Sequence, residues 1–159
     1  MKISIFWFRR DLRLRDNTAL NQSIRKNLKV LPIFIFDDEI LKELPDDDPR
    51  VNFIYHNLNR IDHTLKKHHS SLLCLKVKPI RIWKELIKKF EIKNVFVNKD
   101  YEPYARDRDH NIQKLLEKNG ISFFSLKDQV IHEENDVLKN DNKPYTIFTP
   151  YKKKWLEFI

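Results

Sequence analysis

Three short charged runs carry the chemistry of this chain: Arg9-Arg10-Asp11, Asp37-Asp38 and Asp100-Tyr101-Glu102. Guanidinium groups donate planar, forked hydrogen bonds and stack on rings, while carboxylates accept. With the nearby rings of Phe36, Tyr101 and Tyr104, the set suits a flat, polar heterocycle gripped by side chains. A phosphate cradled on glycine backbone is excluded. The sequence holds one glycine, Gly120, whereas Walker, dinucleotide and kinase loops each need several for close backbone approach.

Other catalytic chemistry finds little support. The six histidines, His56, His63, His68, His69, His110 and His132, show no zinc-ligand spacing with Cys74, and there is no HExxH. His56 and His63 lie seven residues apart on one helix and are expected to face solvent or a partner. Cys74 stands among leucines and reads as an inert, buried thiol. No Gly-x-Ser-x-Gly elbow occurs, so nucleophilic catalysis has no carrier here.

The elements that must position the charged runs alternate along the chain. Apolar runs predict strands at Ile3 to Phe8, Val30 to Phe36, Ser71 to Val77, Val95 to Val97 and Ile121 to Leu126. Between them, Asn17 caps a helix through about Arg25. A polar, proline-bounded loop (Leu44 to Pro49) leads to a helix with Val51, Ile54, Tyr55, Leu58, Ile61 and Leu65 on one face. Pro79 opens a helix with an Ile82, Trp83, Leu86, Ile87, Phe90 stripe. A further helix runs to Lys118, and Asn119-Gly120 supplies a left-handed C-cap.

Strands separated by crossover helices predict an α/β fold: a doubly wound, five-stranded parallel sheet of order 3-2-1-4-5, Rossmann-like or flavodoxin-like, with helices on both faces. In that order the first and fourth strands are neighbours whose connections leave in opposite directions, opening a crevice at their carboxyl ends. All three charged runs follow strands and so converge there. Each also has a plain reading. Arg9, Arg13 and Arg15 pair with Asp11, Asp16 or Asp107; Asp37-Asp38 ends a strand; Arg106-Asp107-Arg108-Asp109 pairs locally at a helix start.

At 159 residues, 41% hydrophobic and 34% charged, the chain is long enough for one domain with a real core. Its net charge of +8 is spread as lysines over separate segments, including Lys66-Lys67, Lys88-Lys89 and Lys152-Lys153-Lys154. Without an arginine-aromatic stripe, this points to solubility rather than a nucleic-acid face. No apolar run reaches membrane-spanning length, so no membrane partner is expected. The single cysteine suits a reducing compartment, and a cytoplasmic location is expected. The apolar ending Trp155-Leu156-Glu157-Phe158-Ile159 suggests a partner surface or a continuation.

Trp7-Phe8-Arg9-Arg10-Asp11-Leu12-Arg13-Leu14-Arg15-Asp16-Asn17-Thr18-Ala19-Leu20 resembles the opening signature of the DNA photolyase/cryptochrome family. Asp100-Tyr101-Glu102-Pro103-Tyr104-Ala105-Arg106-Asp107-Arg108-Asp109 is similar to that family's loop after the fourth strand. Tyr145-Thr146-Ile147-Phe148-Thr149-Pro150-Tyr151, with Trp155, resembles its exit from the first domain. The resemblance covers essentially the whole chain. It implies that residues 1–130 are the N-terminal α/β domain that holds an antenna chromophore. Residues 131–159 would be an exit segment leading to a C-terminal helical domain that binds FAD and damaged DNA.

In that family a light-harvesting pigment passes excitation to reduced FAD, which donates an electron to split a pyrimidine dimer. The first domain then supplies binding and geometry rather than acid-base groups, so no catalytic residue and no metal are expected in it. Carried over residue by residue, Arg10, Asp100, Glu102 and Ala105 match pigment contacts of deazaflavin-type members; Phe36 and Arg50 match by location. Folate-type members have Asn-Glu where this chain has Tyr104-Ala105. The resemblance therefore implies 8-hydroxy-deazaflavin or FMN over methenyltetrahydrofolate. Val77-Lys78-Pro79 also departs from the pattern, since many members carry a glycine after the third strand. Alternative readings are a bacterial cryptochrome photoreceptor domain, a stand-alone nucleotide-binding α/β enzyme, and a scaffold that docks a partner through its apolar tail.

Overall fold

The computed structural model describes residues 1–158. Five parallel strands, β1 (Lys2–Phe8), β2 (Lys29–Phe36), β3 (Leu73–Lys76), β4 (Glu91–Asn98) and β5 (Ser122–Leu126), form one sheet of order β3-β2-β1-β4-β5. The expected order 3-2-1-4-5 is the one found. The helices in chain order are α1 (Thr18–Arg25), α2 (Asp38–Leu41), α3 (Pro49–Lys66), α4 (Pro79–Lys89), α5 (Pro103–Lys118) and α6 (Phe148–Leu156). The chain divides into two compact units, Met1–Asp128 and the residues from Gln129 on.

β1 is the centre of the sheet, with β2 on one flank (Trp7 opposite Ile33) and β4 on the other (Phe6 opposite Phe96). Strand alternation sends its side chains to opposite faces. Ile3, Ile5 and Trp7 join Ile33, Val95 and Val97 beneath Trp83 and Leu86 of α4 and Ile112 and Leu116 of α5. Phe6 and Phe8 join Phe34 and Phe96 beneath Ala19 and Leu20 of α1 and Leu58 and Ile61 of α3. Helices thus cover both faces, which is why β1 is apolar almost throughout.

The turns obey their local chemistry. The Asn17 side chain accepts a hydrogen bond from the Leu20 amide at 3.1 Å and caps α1. Pro49, Pro79 and Pro103 occupy first-turn positions, where no amide donor is needed. After α5, Gly120 takes a φ of +69°, its amide bonding the Glu117 carbonyl while the Ile121 amide reaches Leu116. That pair of bonds is the Schellman closure the sequence called for.

Several expectations are corrected. β4 begins at Glu91 instead of Val95, because Ile92 is buried between exposed Glu91 and Lys93 and pairs with Ile3. Phe90 is therefore an extended cap residue and not part of the helix. β3 is an edge strand with alternating exposure, so Cys74 shares the outer face with Lys76 and is exposed, not buried. Partial burial, with Asp62 nearby, still pushes its thiol pKa up. Tyr55 is 55% exposed and drops out of the α3 stripe.

Two helices were not anticipated: α2, a single turn capped by the Asp37 carboxylate, and α6, in the segment read as a basic-aromatic tail. In α6, Pro150 sits in the first turn, where it costs no hydrogen bond. Within the second unit the His132 ring lies edge-on to Trp155 at 5.0 Å and to Phe158 at 5.8 Å. Ile159, the last residue of the apolar ending, lies outside the described residues. No described helix is long and apolar enough to cross a membrane.

Candidate pigment cavity

The carboxyl ends of β1, β2 and β4 meet where the polypeptide changes direction, and three strand ends deliver their charged runs to one place. A cavity of about 840 Å³ lies there. All six residues singled out from the sequence, Arg10, Phe36, Arg50, Asp100, Glu102 and Ala105, line it. Phe34, Ile40, Leu41, Leu44 and Ile54 give it apolar walls, two of them, Ile40 and Leu41, supplied by the unforeseen α2.

The floor is cationic and stacked. Arg9 leaves β1 with only 6% of its side chain exposed, its Nη1 donating to Asp109 at 2.5 Å. Its guanidinium carbon lies 4.3 Å from the Trp7 ring centre, and that of Arg108 lies 5.0 Å from the same ring. Arg108 Nε donates to the other Asp109 oxygen at 3.2 Å. One carboxylate therefore serves two stacked guanidinium groups. Burial lowers the Arg9 pKa to about 10, which leaves the group charged at neutral pH. Arg9 Nε and Nη2 and Arg108 Nη2 are buried and find no partner among the described residues. Orphaned buried donors are costly, and a ligand that accepts from them removes that cost.

The walls are cross-tied. Asp37 accepts from the Glu39 amide at 3.0 Å and from the Tyr104 hydroxyl at 2.7 Å, joining the end of β2 to the start of α5. Partial burial, then this bond to a carboxylate, raises the Tyr104 pKa. Glu39 is clasped by Lys42 and Lys78, whose hydrogen bonds hold its pKa down at about 2. Lys78, at the N-cap position of α4, thus ties that helix to the cavity rim. Arg10 is held more loosely, 3.4 Å from Asp100 and 3.7 Å from Glu102. Arg50 clamps Asp48 through Nε and Nη2.

Behind the floor, Asp11, Asn17 and Asn98 form a buried polar knot. Asn98 donates to Asp11 at 2.5 Å and to Asn17 at 2.9 Å, Asn17 donates to Asp11 at 3.1 Å, and the Ala19 amide donates to Asn98 at 3.0 Å. This knot fixes the end of β1 to the end of β4. Asp11 therefore belongs to structure and not to the cavity, and neither Asp38 nor Tyr101 is among the lining residues. Arg13 bonds the Asp16 carbonyl and Asp128, a pairing outside the cavity floor.

Sequence reasoning missed Trp7 and Arg108 as parts of the site. Trp7 reads as core, and Arg108 reads as local pairing with Asp109. The available signal was the three- and four-residue steps from Ala105 to Arg108 to Ile112, which put Arg108 on the inward face of α5. Among the described residues no group of histidine, cysteine and carboxylate side chains could hold a metal ion.

A heterocyclic pigment fits these residues. The volume lies within the roughly 300–1,000 Å³ usual for small-molecule sites. Apolar walls suit ring faces, unpaired guanidinium donors suit ring carbonyls and nitrogens, and buried Ala105 allows close approach at the start of α5.

The family model for DNA photolyase matches residues 4–158. A deoxyribodipyrimidine photo-lyase of a Synechococcus strain is 31% identical over 151 residues, covering 95% of this chain and 31% of the relative. A class III photolyase from Agrobacterium tumefaciens superposes with a TM-score of 0.82 at 27% identity, over 93% of this chain and 30% of that one. An archaeal photolyase from Sulfolobus tokodaii, solved with two FAD molecules and implicating a novel light-harvesting cofactor, superposes with a TM-score of 0.68 at 31% identity. That match covers 86% of this chain and 33% of the other. The chain spans about a third of the length of these relatives, among which cryptochromes also occur. A family-model match over nearly its whole length makes this chain a member of the DNA photolyase family.

Proposed function

We propose that this chain is the antenna-pigment domain of a light-dependent DNA photolyase, with residues 1–130 as the pigment domain and residues 131–159 as the exit segment. The observation that carries the reading is the cavity at the ends of β1, β2 and β4, floored by buried guanidinium groups with unused donors. A pigment seated there supplies light absorption and excitation transfer to an FAD held by a following helical domain of the same protein. That domain would bind damaged DNA and split the pyrimidine dimer. The residues of this chain bind, orient and shield the pigment; none acts as an acid, base or nucleophile.

An 8-hydroxy-deazaflavin or a flavin is the favoured pigment. Their tricyclic heads present a row of acceptors to Arg9 and Arg108, and the space beside Ala105 carries no Asn-Glu pair of the folate type. Titration of the folded chain with 8-hydroxy-deazaflavin, FMN and methenyltetrahydrofolate, followed by pigment absorption and fluorescence, tests this. Saturable one-to-one binding of the tricyclic pigments, abolished by Ala105→Trp, is expected. No saturable binding of any of them to folded protein would refute it.

A further inference from the structure

One wall of the cavity is built unlike the others. Trp7 of β1 packs into the core on one face of the sheet, and Phe8 of β1, Phe34 of β2 and Ile54 of α3 pack into the core on the other. The remaining wall is the stretch Glu39 to Leu44, which lines the cavity without a break. Among the described residues none of α2 is buried, and Ile40, Leu41 and Leu44 join neither core. Ile40, 45% exposed, stands between the cavity and bulk water. What holds this stretch is polar. Buried Asp37, at its start, accepts from the Glu39 amide and the Tyr104 hydroxyl. The ion pair of Glu39 with Lys78 ties the turn to the N-cap position of α4, and Lys42 closes on the same carboxylate from within the turn. Beyond it every residue from Lys42 to Asp47 except Leu44 is exposed, until buried Asp48 is caught by Arg50.

We propose that residues 38–44 are a door to the cavity, hinged at Asp37 and latched by the Glu39–Lys78 ion pair, through which the pigment enters and leaves. The proposal rests on the reading of the cavity as a pigment seat. Walls rooted in a core cannot part without exposing apolar surface to water. Lifting α2 breaks one exposed ion pair, of a kind that adds little to stability, and uncovers no buried residue of the turn. Elements that move to admit a ligand are drawn from the weakly held end of a fold. Closing lays Ile40, Leu41 and Leu44 against the flat faces of a bound pigment, so apolar burial on the guest adds to the hold of the shut state. Because the latch is made before entry and made again after it, its strength sets how often the door opens and cancels from the affinity.

Stopped-flow fluorescence with riboflavin, an uncharged ring system that does not feel the loss of one lysine charge, reads entry and release separately. Lys78→Met removes the latch at an exposed position that has no side-chain capping bond to lose. It should speed entry and release together by about two- to fivefold, the range an exposed ion pair carries, and leave Kd within about twofold. Lys78→Arg keeps the charge and should keep the original rates. In the chain without pigment, the Ile40, Leu41 and Lys42 amides bond the Asp37 and Asp38 carbonyls. Their hydrogen exchange should quicken in Lys78→Met while that of buried β4 stays the same. Unchanged rates, or faster release with entry unchanged so that Kd rises in step, would make Lys78 an ordinary wall residue and overturn the door while the pigment seat stands. Unaltered exchange at the three amides would do the same. Failure of riboflavin and FMN alike to bind the folded chain would bring down seat and door together.

Discussion

Removal of the Asn17 side chain tests whether the knot behind the cavity holds the two central strand ends in place. Asn17 is fully buried. Its oxygen accepts from the Leu20 amide and from Asn98, and its amide donates to the Asp11 carboxylate and to the Asp11 and Arg13 carbonyls at 3.1 to 3.3 Å. Asn17→Ala deletes the α1 cap, costing about 1 kcal/mol. It also strips a donor from a buried carboxylate and from two carbonyls, for about 2 kcal/mol more. The sum, about 3 kcal/mol, is a large share of the roughly 5–15 kcal/mol by which such domains are stable. At this chain length it corresponds to a fall in Tm of about 6–12 °C.

Urea unfolding at pH 7, followed by far-UV circular dichroism, reads the loss as a lower midpoint at unchanged slope. Asn17→Ser restores the cap but not the donors, so about 1 kcal/mol should return. A loss under about 1 kcal/mol for Asn17→Ala, or full rescue by serine, would refute the role given to the knot.

Tyr104 should ionise above the ordinary tyrosine value, because partial burial and its bond to Asp37 favour the neutral phenol. Its contribution to stability is then present below about pH 10 and lost as pH rises above that. Ultraviolet difference titration should show a late phenol that Asp37→Asn brings back down. Gly120→Ala should cost about 1–2 kcal/mol from the left-handed backbone alone, since a Cβ at Gly120 meets nothing within 4 Å; a near-zero cost by urea unfolding would contradict this. Cys74 should react with a disulfide reagent in the native protein, because it is exposed, yet more slowly than a free thiol, because its pKa is raised. Complete protection until unfolding would show that the outer face of β3 is covered.

What could be read in the sequence was whatever rests on strong local signals. The apolar runs of β1 and β2 are buried on both faces and announce themselves, and Asn17, Pro79 and Gly120 mark boundaries by their own backbone chemistry. Alternation of strands with helices gave the fold class, and the order usual for such sheets, which is the one found, brought Arg10, Asp100 and Glu102 together. The rest depends on tertiary context. Ile92 carries the start of β4 alone among charged neighbours, and Cys74 is exposed only because β3 is an edge. The single turn of α2 has too few residues for a periodic pattern. Arg108 looked satisfied by its sequence neighbour, and only the fold shows that Arg9, a hundred residues away, shares the same carboxylate. Trp7 could not be told from core by pattern, since it is core and cavity floor at once.

The seat of the pigment is tested most directly by mapping amide chemical-shift changes in ¹⁵N-labelled protein as FMN is added. The account predicts saturable shifts concentrated at Arg9, Arg10, Phe36, Arg50, Asp100, Glu102 and Ala105, with the amino-end edge of the sheet around Lys2 and Glu91 unmoved. Shifts gathered at that opposite edge, or none at saturating FMN, would contradict it.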